Sequence, residues 1–216
     1  MARGNLERKM LTLPVSERDH SQGMDNVPIT LVEYGDYECP YCGQAYPIIK
    51  NIQKILGSQL RFVFRNFPIS QIHPHALSAA EAAEAADSQH KFWIMHDYLY
   101  EHQDRLDDED LVQYASTLGL DLDRFSKEIA EHIHAARVRE DFMNGIRSGV
   151  NGTPTFYIND IRYDDSWDEE TLLASLKQAI VDEQQHLRSK ESRKTAATTA
   201  TKGTKQKTSR KTHYRK

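Results

Sequence analysis

The chain has 216 residues and a mass of 24.9 kDa, room for one generous domain or two small ones. Hydrophobic residues make up 38%, enough for a core, yet the mean hydropathy of −0.70 says that part of the chain forms none. The formal charge of −4 is unevenly spread: residues 187–216 hold 11 Lys and Arg against the single acid Glu191, a net +10, which leaves −14 on residues 1–186. No apolar run approaches the ~20 residues of a spanning helix, so no membrane span is expected. Residues 1–23 show no apolar leader, which points to a cytoplasmic protein. Two cysteines cannot staple a disulfide framework, and a structural zinc site needs further ligands nearby.

Residues 1–26 are polar with no sustained period and read as a mobile or loosely draped lead-in. Residues 29–34, Ile-Thr-Leu-Val-Glu-Tyr, look like a buried strand that Gly35-Asp36 ends. After Cys39-Pro40-Tyr41-Cys42, residues Ala45, Ile48, Ile49, Ile52, Ile55 and Leu56 recur at helical spacing. Pro40 suits a first helical turn, where its missing N–H is no loss, and Pro47 predicts a kink. Residues 60–67 read as a second strand ended by Pro68.

From Pro74 to Gly149 the period is helical throughout. Ala76 to about Gln103 is one Ala-rich stretch followed by Phe92, Trp93, Met95 and Leu99. Residues 107–118 form a further helix that Gly119 stops. Asp121 caps the next, with Leu122, Phe125, Ile129, Ala136 and Met143 as its inward stripe. Residues 155–158 and 161–163 flank the turn Asn159-Asp160 and predict a hairpin. Ser166 with Glu169 has capping-box spacing before Leu172, Leu173, Leu176, Ala179 and Ile180. The order predicts an α/β core, residues 27–186, carrying an all-helical insertion over about 74–149. Residues 187–216 bury too little apolar surface to offset ordering entropy and read as a disordered basic tail.

Cys-x-x-Cys alone allows a redox pair, half a metal site or two idle thiols. A strand before it and a helix after it favour redox chemistry. A free thiol, with a pKa of ~8.5, is mostly protonated at neutral pH. At a helix N-terminus Cys39 would meet unpaired N–H groups and the positive dipole end, both of which favour the anion. Cys39 is then the nucleophile, and Cys42, inside the first turn, resolves the mixed disulfide.

Several motifs together resemble the DsbA family of thioredoxin-fold oxidoreductases. Glu33 stands six residues before Cys39, where that fold carries a buried acid; Pro47 falls where its active-site helix kinks; and Gly152-Thr153-Pro154-Thr155-Phe156 looks like its cis-proline loop. Residues 16–20 and 32–42 also resemble bacterial members, and the likeness spans roughly 14–185. It implies a thioredoxin fold whose helical insertion separates the second and third core strands and roofs the active site. It makes Cys39, Cys42 and Glu33 catalytic, with Pro40, Tyr41, Thr153 and Pro154 facing substrate. Thr153 would pair with substrate main chain, and Pro154 would keep metal from the thiols. Read by itself, Glu33 is either a solvated strand-end carboxylate or a buried one able to take the Cys42 proton. The oxidising periplasmic members carry His where this chain has Tyr41, so a less stabilised thiolate and a less oxidising disulfide are expected.

The resulting expectation is a cytoplasmic thiol–disulfide oxidoreductase that needs no cofactor and no metal. It would act as a reductase or isomerase on protein or small thiol and disulfide substrates, recycled by a separate reductant or oxidant. A glutaredoxin-like, glutathione-dependent enzyme is the alternative suggested by Cys-Pro-Tyr-Cys, against which stands the long insertion. A third reading is a non-enzymatic binding module whose basic tail touches nucleic acid without sequence preference. The pairs His73/His75 and His132/His134 are i, i+2 and point apart on a helix, so they read as solvated or core histidines.

Overall fold

β-Branched and aromatic residues alternate in Ile29–Gly35 (β2) and Leu60–Asn66 (β3), and this alternation builds the centre of the sheet. The computed structural model describes residues 9–209, the side chains from residue 191 onward excepted. β2 and β3 pair in parallel, joined by the helix Pro40–Leu56 (α1). His20–Gln22 (β1) adds antiparallel to β3; Thr155–Ile158 (β4) adds antiparallel to β2; and Ile161–Tyr163 (β5) closes the sheet order β1-β3-β2-β4-β5. The β4–β5 turn holds Asn159 and Asp160 at positive φ, the form expected of a two-residue hairpin.

The two-residue period of β2 sorts its side chains. Ile29 and Leu31 enter the larger core with Cys42, Ala45, Ile49 and Ile52 of α1, whereas Val32 and Tyr34 enter a second core on the other face with Val63, Phe67 and Tyr157. Glu33 shares the parity of Leu31 and so points to the α1 side.

The insertion lies between β3 and β4. Its helices are Ala76–Asp87 (α2), Phe92–Glu101 (α3), Asp108–Thr117 (α4), Leu122–Ala130 (α5) and Ala135–Ser148 (α6). Seven alanines of α2 are buried, and their small side chains let its neighbours close in. Two long helical readings are each split in two. The chain reverses at His90 (φ 59°) between α2 and α3 and at His132 (φ 50°) between α5 and α6. The expected stripe over residues 122–143 holds only within α5, where Phe125 is fully buried and Ile129 packs against the core. Leu122 and Met143 are exposed, and α6 buries Val138, Asp141, Asn144, Gly145 and Ser148 instead.

The lead-in also differs from the expectation. Arg65 of β3 is buried in the second core, and a buried guanidinium needs its donors filled. Residues 13–19 fill them: Arg65 Nε donates to Asp19 Oδ1 at 2.7 Å, and its terminal nitrogens reach the carbonyls of Leu13 and Pro14 and the Tyr34 hydroxyl. Residues 9–26 are therefore bound to the sheet, with Leu11 in the core.

The last helix, Glu169–Ser209 (α7), is capped by Asp168, whose Oδ1 accepts from Thr171 N at 3.0 Å; Ser166 is not the cap. Leu172, Leu176 and Ile180 pack on the core. The helix then continues where a disordered tail was expected, as far as Ser209; residues 210–216 lie outside the described residues. Extension from an already packed helix needs no new nucleus, and no proline follows Pro154.

Candidate active site

Cys39 caps the N-terminus of α1 with extended backbone (φ −71°, ψ 120°) and Pro40 next in the first turn. Its N–H donates to Asp36 O at 3.1 Å and its carbonyl accepts the first helical bond, from Gly43 N, at 3.1 Å. Cys42, one turn in, is fully buried against the β2 side of the helix. Pairing of Tyr34 with Thr155 sets the loop before β4 beside the end of β2, and so beside the cysteines. The Thr153–Pro154 peptide is cis, and Cys39 Sγ lies 3.3 Å from Thr153 O. Tyr41 is 61% exposed. The structure thus brings Glu33, Cys39, Cys42, Thr153 and Pro154 together, with Pro40 and Tyr41 on the outer rim.

Three titrations are displaced in opposite directions. The Cys42 thiol hydrogen-bonds Cys39 and, with Thr153 and the N–H groups of Cys42 and Tyr41, outweighs burial to bring the Cys39 pKa down to about 5. Cys42 itself is pushed well above its ordinary value by burial, by the hydrogen bond it gives Cys39 and by the Glu33 charge. Burial, with the Cys39 charge second, raises Glu33 from 4.5 to about 8. Its Oε1 is buried without a hydrogen-bond partner, an arrangement that costs ~1–3 kcal/mol. One sulfur is therefore an anion at neutral pH beside a thiol that keeps its proton, with a carboxyl poised near neutrality behind both. Such a pair can exchange a disulfide.

Several residues around the site carried no sequence signal. Asp36 accepts from Glu38 N, Ile69 N and His73 Nδ1, each at 2.8 Å. Glu38 accepts from His75 N at 2.6 Å and pairs with its Nδ1 at 2.9 Å. His73 and His75 are thus engaged by different carboxylates. Tyr37 and Tyr100 are buried behind the cysteines. A Cβ at Gly35 would lie 2.4 Å from the Phe64 ring and 2.8 Å from the Tyr100 hydroxyl, so that strand end must stay bare. Among the described residues the cysteines join no cluster of metal-ligating groups; the one such cluster, His20, Glu84 and Asp87, lies elsewhere. There Glu84 grips His20 Nε2 at 3.0 Å and the His20 ring stacks on Phe92.

Comparison with known proteins gives the family and the fold. Residues 15–178 match the family model described as thioredoxin. The oxidised BdbD of Bacillus subtilis superposes with a TM-score of 0.70 at 24% identity, over 80% of this chain and 97% of that one. Alpha-DsbA1 of Wolbachia pipientis gives 0.70 at 21% identity, over 82% and 98%. By sequence, the chain is 46% identical over 171 residues to a Na(+)/H(+) antiporter NhaA 1 of Salinispora arenicola (strain CNS-205), covering 79% of this chain and spanning only 26% of that protein. With its cysteine-capped helix, its central strand pair and its helical insertion all in place, the chain belongs to the thioredoxin family and has the fold of its DsbA-like members.

Proposed function

We propose that the protein is a thiol–disulfide oxidoreductase in which Cys39 attacks and Cys42 resolves. The observation that carries this reading is the geometry of the pair, with Cys39 at the N-cap of α1 and 3.3 Å from Thr153 O in the cis-proline loop and Cys42 fully buried one turn in; it agrees with the lowering of Cys39 to about 5 and the raising of Cys42. The Cys39 thiolate attacks a substrate disulfide, forms a bond to one sulfur and expels the other as thiolate. Cys42 then gives its proton to the Glu33 carboxylate and attacks Cys39 Sγ. This forms the Cys39–Cys42 disulfide, releases the second substrate thiolate and moves two electrons to the substrate. The charge on Cys39 helps to hold Glu33 protonated. Once the mixed disulfide removes that charge the carboxyl becomes more acidic, and so a base is available when Cys42 must ionise. Thr153 and Pro154 border the attacking sulfur and offer the surface on which substrate main chain lies, with Tyr41 and Pro40 at its rim.

The net direction we assign is reduction or isomerisation of protein or small disulfides. A Cys39 pKa of about 5 lies between the ~7 of thioredoxin and the ~3.5 of strongly oxidising DsbA, and so supports a disulfide of intermediate strength. We also assign the protein to the cytoplasm, where such a pair is held as dithiol. Ion antiport, the activity named for the Salinispora relative, is no part of this proposal. The chain spans about a quarter of that protein (26%), and no helix among the described residues is long and apolar enough to cross a membrane.

The test is trapping. Cys42→Ser, incubated with a disulfide-bonded protein, is expected to accumulate a mixed disulfide through Cys39, and Cys39→Ser to accumulate none. Equal trapping by both variants contradicts the assignment.

A further inference from the structure

The turn after α3 reaches across to the first turn of α1. There Gln103 Nε2 donates to Tyr37 O at 2.7 Å and to Cys39 O at 3.1 Å. One side-chain amide thus holds the two carbonyls that bracket Glu38, using both of its hydrogens. On its other side the same loop is held by Asp36 and Glu38, through Ile69, His73 and His75. Gln103 also fills the space that Gly43 leaves, since a Cβ there would lie 1.7 Å from Gln103 Oε1. The cysteine and the glutamine are 64 residues apart and belong to different units of the fold, the core and the insertion.

We propose that Gln103 is a positioning residue, by which the helical insertion fixes the Cys39 main chain and so aims the Cys39 sulfur at its donors. The proposal rests on the reading of Cys39 as the nucleophile. The sulfur keeps its place only while the Cys39 backbone stays at the helix cap, because its partners are the Cys42 thiol, the neighbouring N–H groups and Thr153. Without Gln103 the carbonyls of Tyr37 and Cys39 lose their shared clamp, the cap loosens, and the sulfur leaves the position at which all the donors reach it. Gly43 serves the same end, as the bare site that admits the amide.

The test uses the full reduced chain and reads Cys39 directly, by thiolate absorbance against pH and by alkylation rate. Gln103→Met keeps the shape and removes both donors. It is expected to raise the Cys39 pKa by about half to one unit, roughly a three- to tenfold loss of thiolate on the acid side of the titration. Gly43→Ala suits a helix by propensity but pushes Gln103 Oε1 aside, and it is expected to give the same rise. The double variant is expected to add nothing to either single one, because both break one clamp. Leu106→Ala, a core truncation in the same connection, lowers stability and is expected to leave the Cys39 titration where it is. An unchanged Cys39 pKa in both Gln103→Met and Gly43→Ala, or a shift no larger than that of Leu106→Ala, overturns the proposal. These readings need no turnover. A chain inactive on disulfides whose Cys39 nonetheless responds as described refutes the proposed function and leaves the positioning role standing.

Discussion

Replacing Glu33 by Gln removes a buried ionisable group whose pKa stands at about 8 instead of 4.5. Between those values the unfolded chain has released the proton and the folded chain holds it, so stability falls as pH rises. The loss begins above about 4.5, reaches ~3 kcal/mol by neutral pH and levels near ~5 kcal/mol above about 8. Cys39 works the other way. Its folded pKa of about 5 against 9.0 unfolded makes stability rise across that window, by up to ~5 kcal/mol. The two slopes oppose each other, so the Glu33 and Cys39 contributions largely cancel between about pH 5 and 8 in the wild type, while burial of His96, which holds its pKa well below 6.5, adds a rise on the acid side of 6.5. In Glu33→Gln the Cys39 slope is no longer opposed by Glu33, so urea denaturation of the reduced protein should show stability climbing more steeply with pH than in the wild type. In Cys39→Ser the fall due to Glu33 is exposed. Gln brings an amide to a site where Glu33 Oε1 has no hydrogen-bond partner, a pH-independent offset of ~1–3 kcal/mol, so the diagnostic is the slope and not the level. In kinetics, Glu33→Gln is expected to slow resolution of the mixed disulfide ~100-fold at acid and neutral pH, less as pH rises, with the first attack by Cys39 unchanged. Parallel stability profiles for wild type and Glu33→Gln refute a buried, proton-accepting Glu33.

Two further outcomes follow from the packing. Arg65→Ala leaves Asp19 buried without its partner and is expected to destabilise the protein by ~3–5 kcal/mol, read by denaturant unfolding; a loss below ~1 kcal/mol means that residues 13–19 are not held through Arg65. Deleting residues 188–216 removes the basic end of α7 but none of Leu172, Leu176 and Ile180, so disulfide reduction is expected to stay within about twofold of wild type. Any affinity for nucleic acid should be lost with those residues and in the full chain should fall steeply with salt.

Elements with a strong period and a packed face were legible in the sequence: β2, β3, the apolar stripe of α1, the β4–β5 hairpin and the packed end of α7. The helix breaks at His90 and His132 were not, because neither uses Gly or Pro and both residues nonetheless take positive φ. β1 escaped notice because three residues carry no readable alternation, and the lead-in is bound by what Arg65 demands and not by its own composition. The continuation of α7 as far as Ser209 has no apolar period in its sequence to announce it. At the site, the Cys39–Cys42 motif was legible from its strand and helix, and Glu33, Thr153 and Pro154, which the structure brings beside it, were legible only through the family resemblance. Asp36, Glu38 and Gln103 act through hydrogen bonds to main chain far away in sequence, and no local pattern announces such partners.

The central claim is that Cys39 and Cys42 form one redox pair whose reduced state is stabilised by the Cys39 thiolate. Its most direct test is the reduction potential of the pair, from equilibration of the full chain with glutathione buffers and quantification of the intramolecular disulfide. With Cys39 at about 5, the potential is expected between the ~−270 mV of thioredoxin and the ~−120 mV of DsbA. No Cys39–Cys42 disulfide at any glutathione ratio, or a potential below that of thioredoxin, contradicts the account.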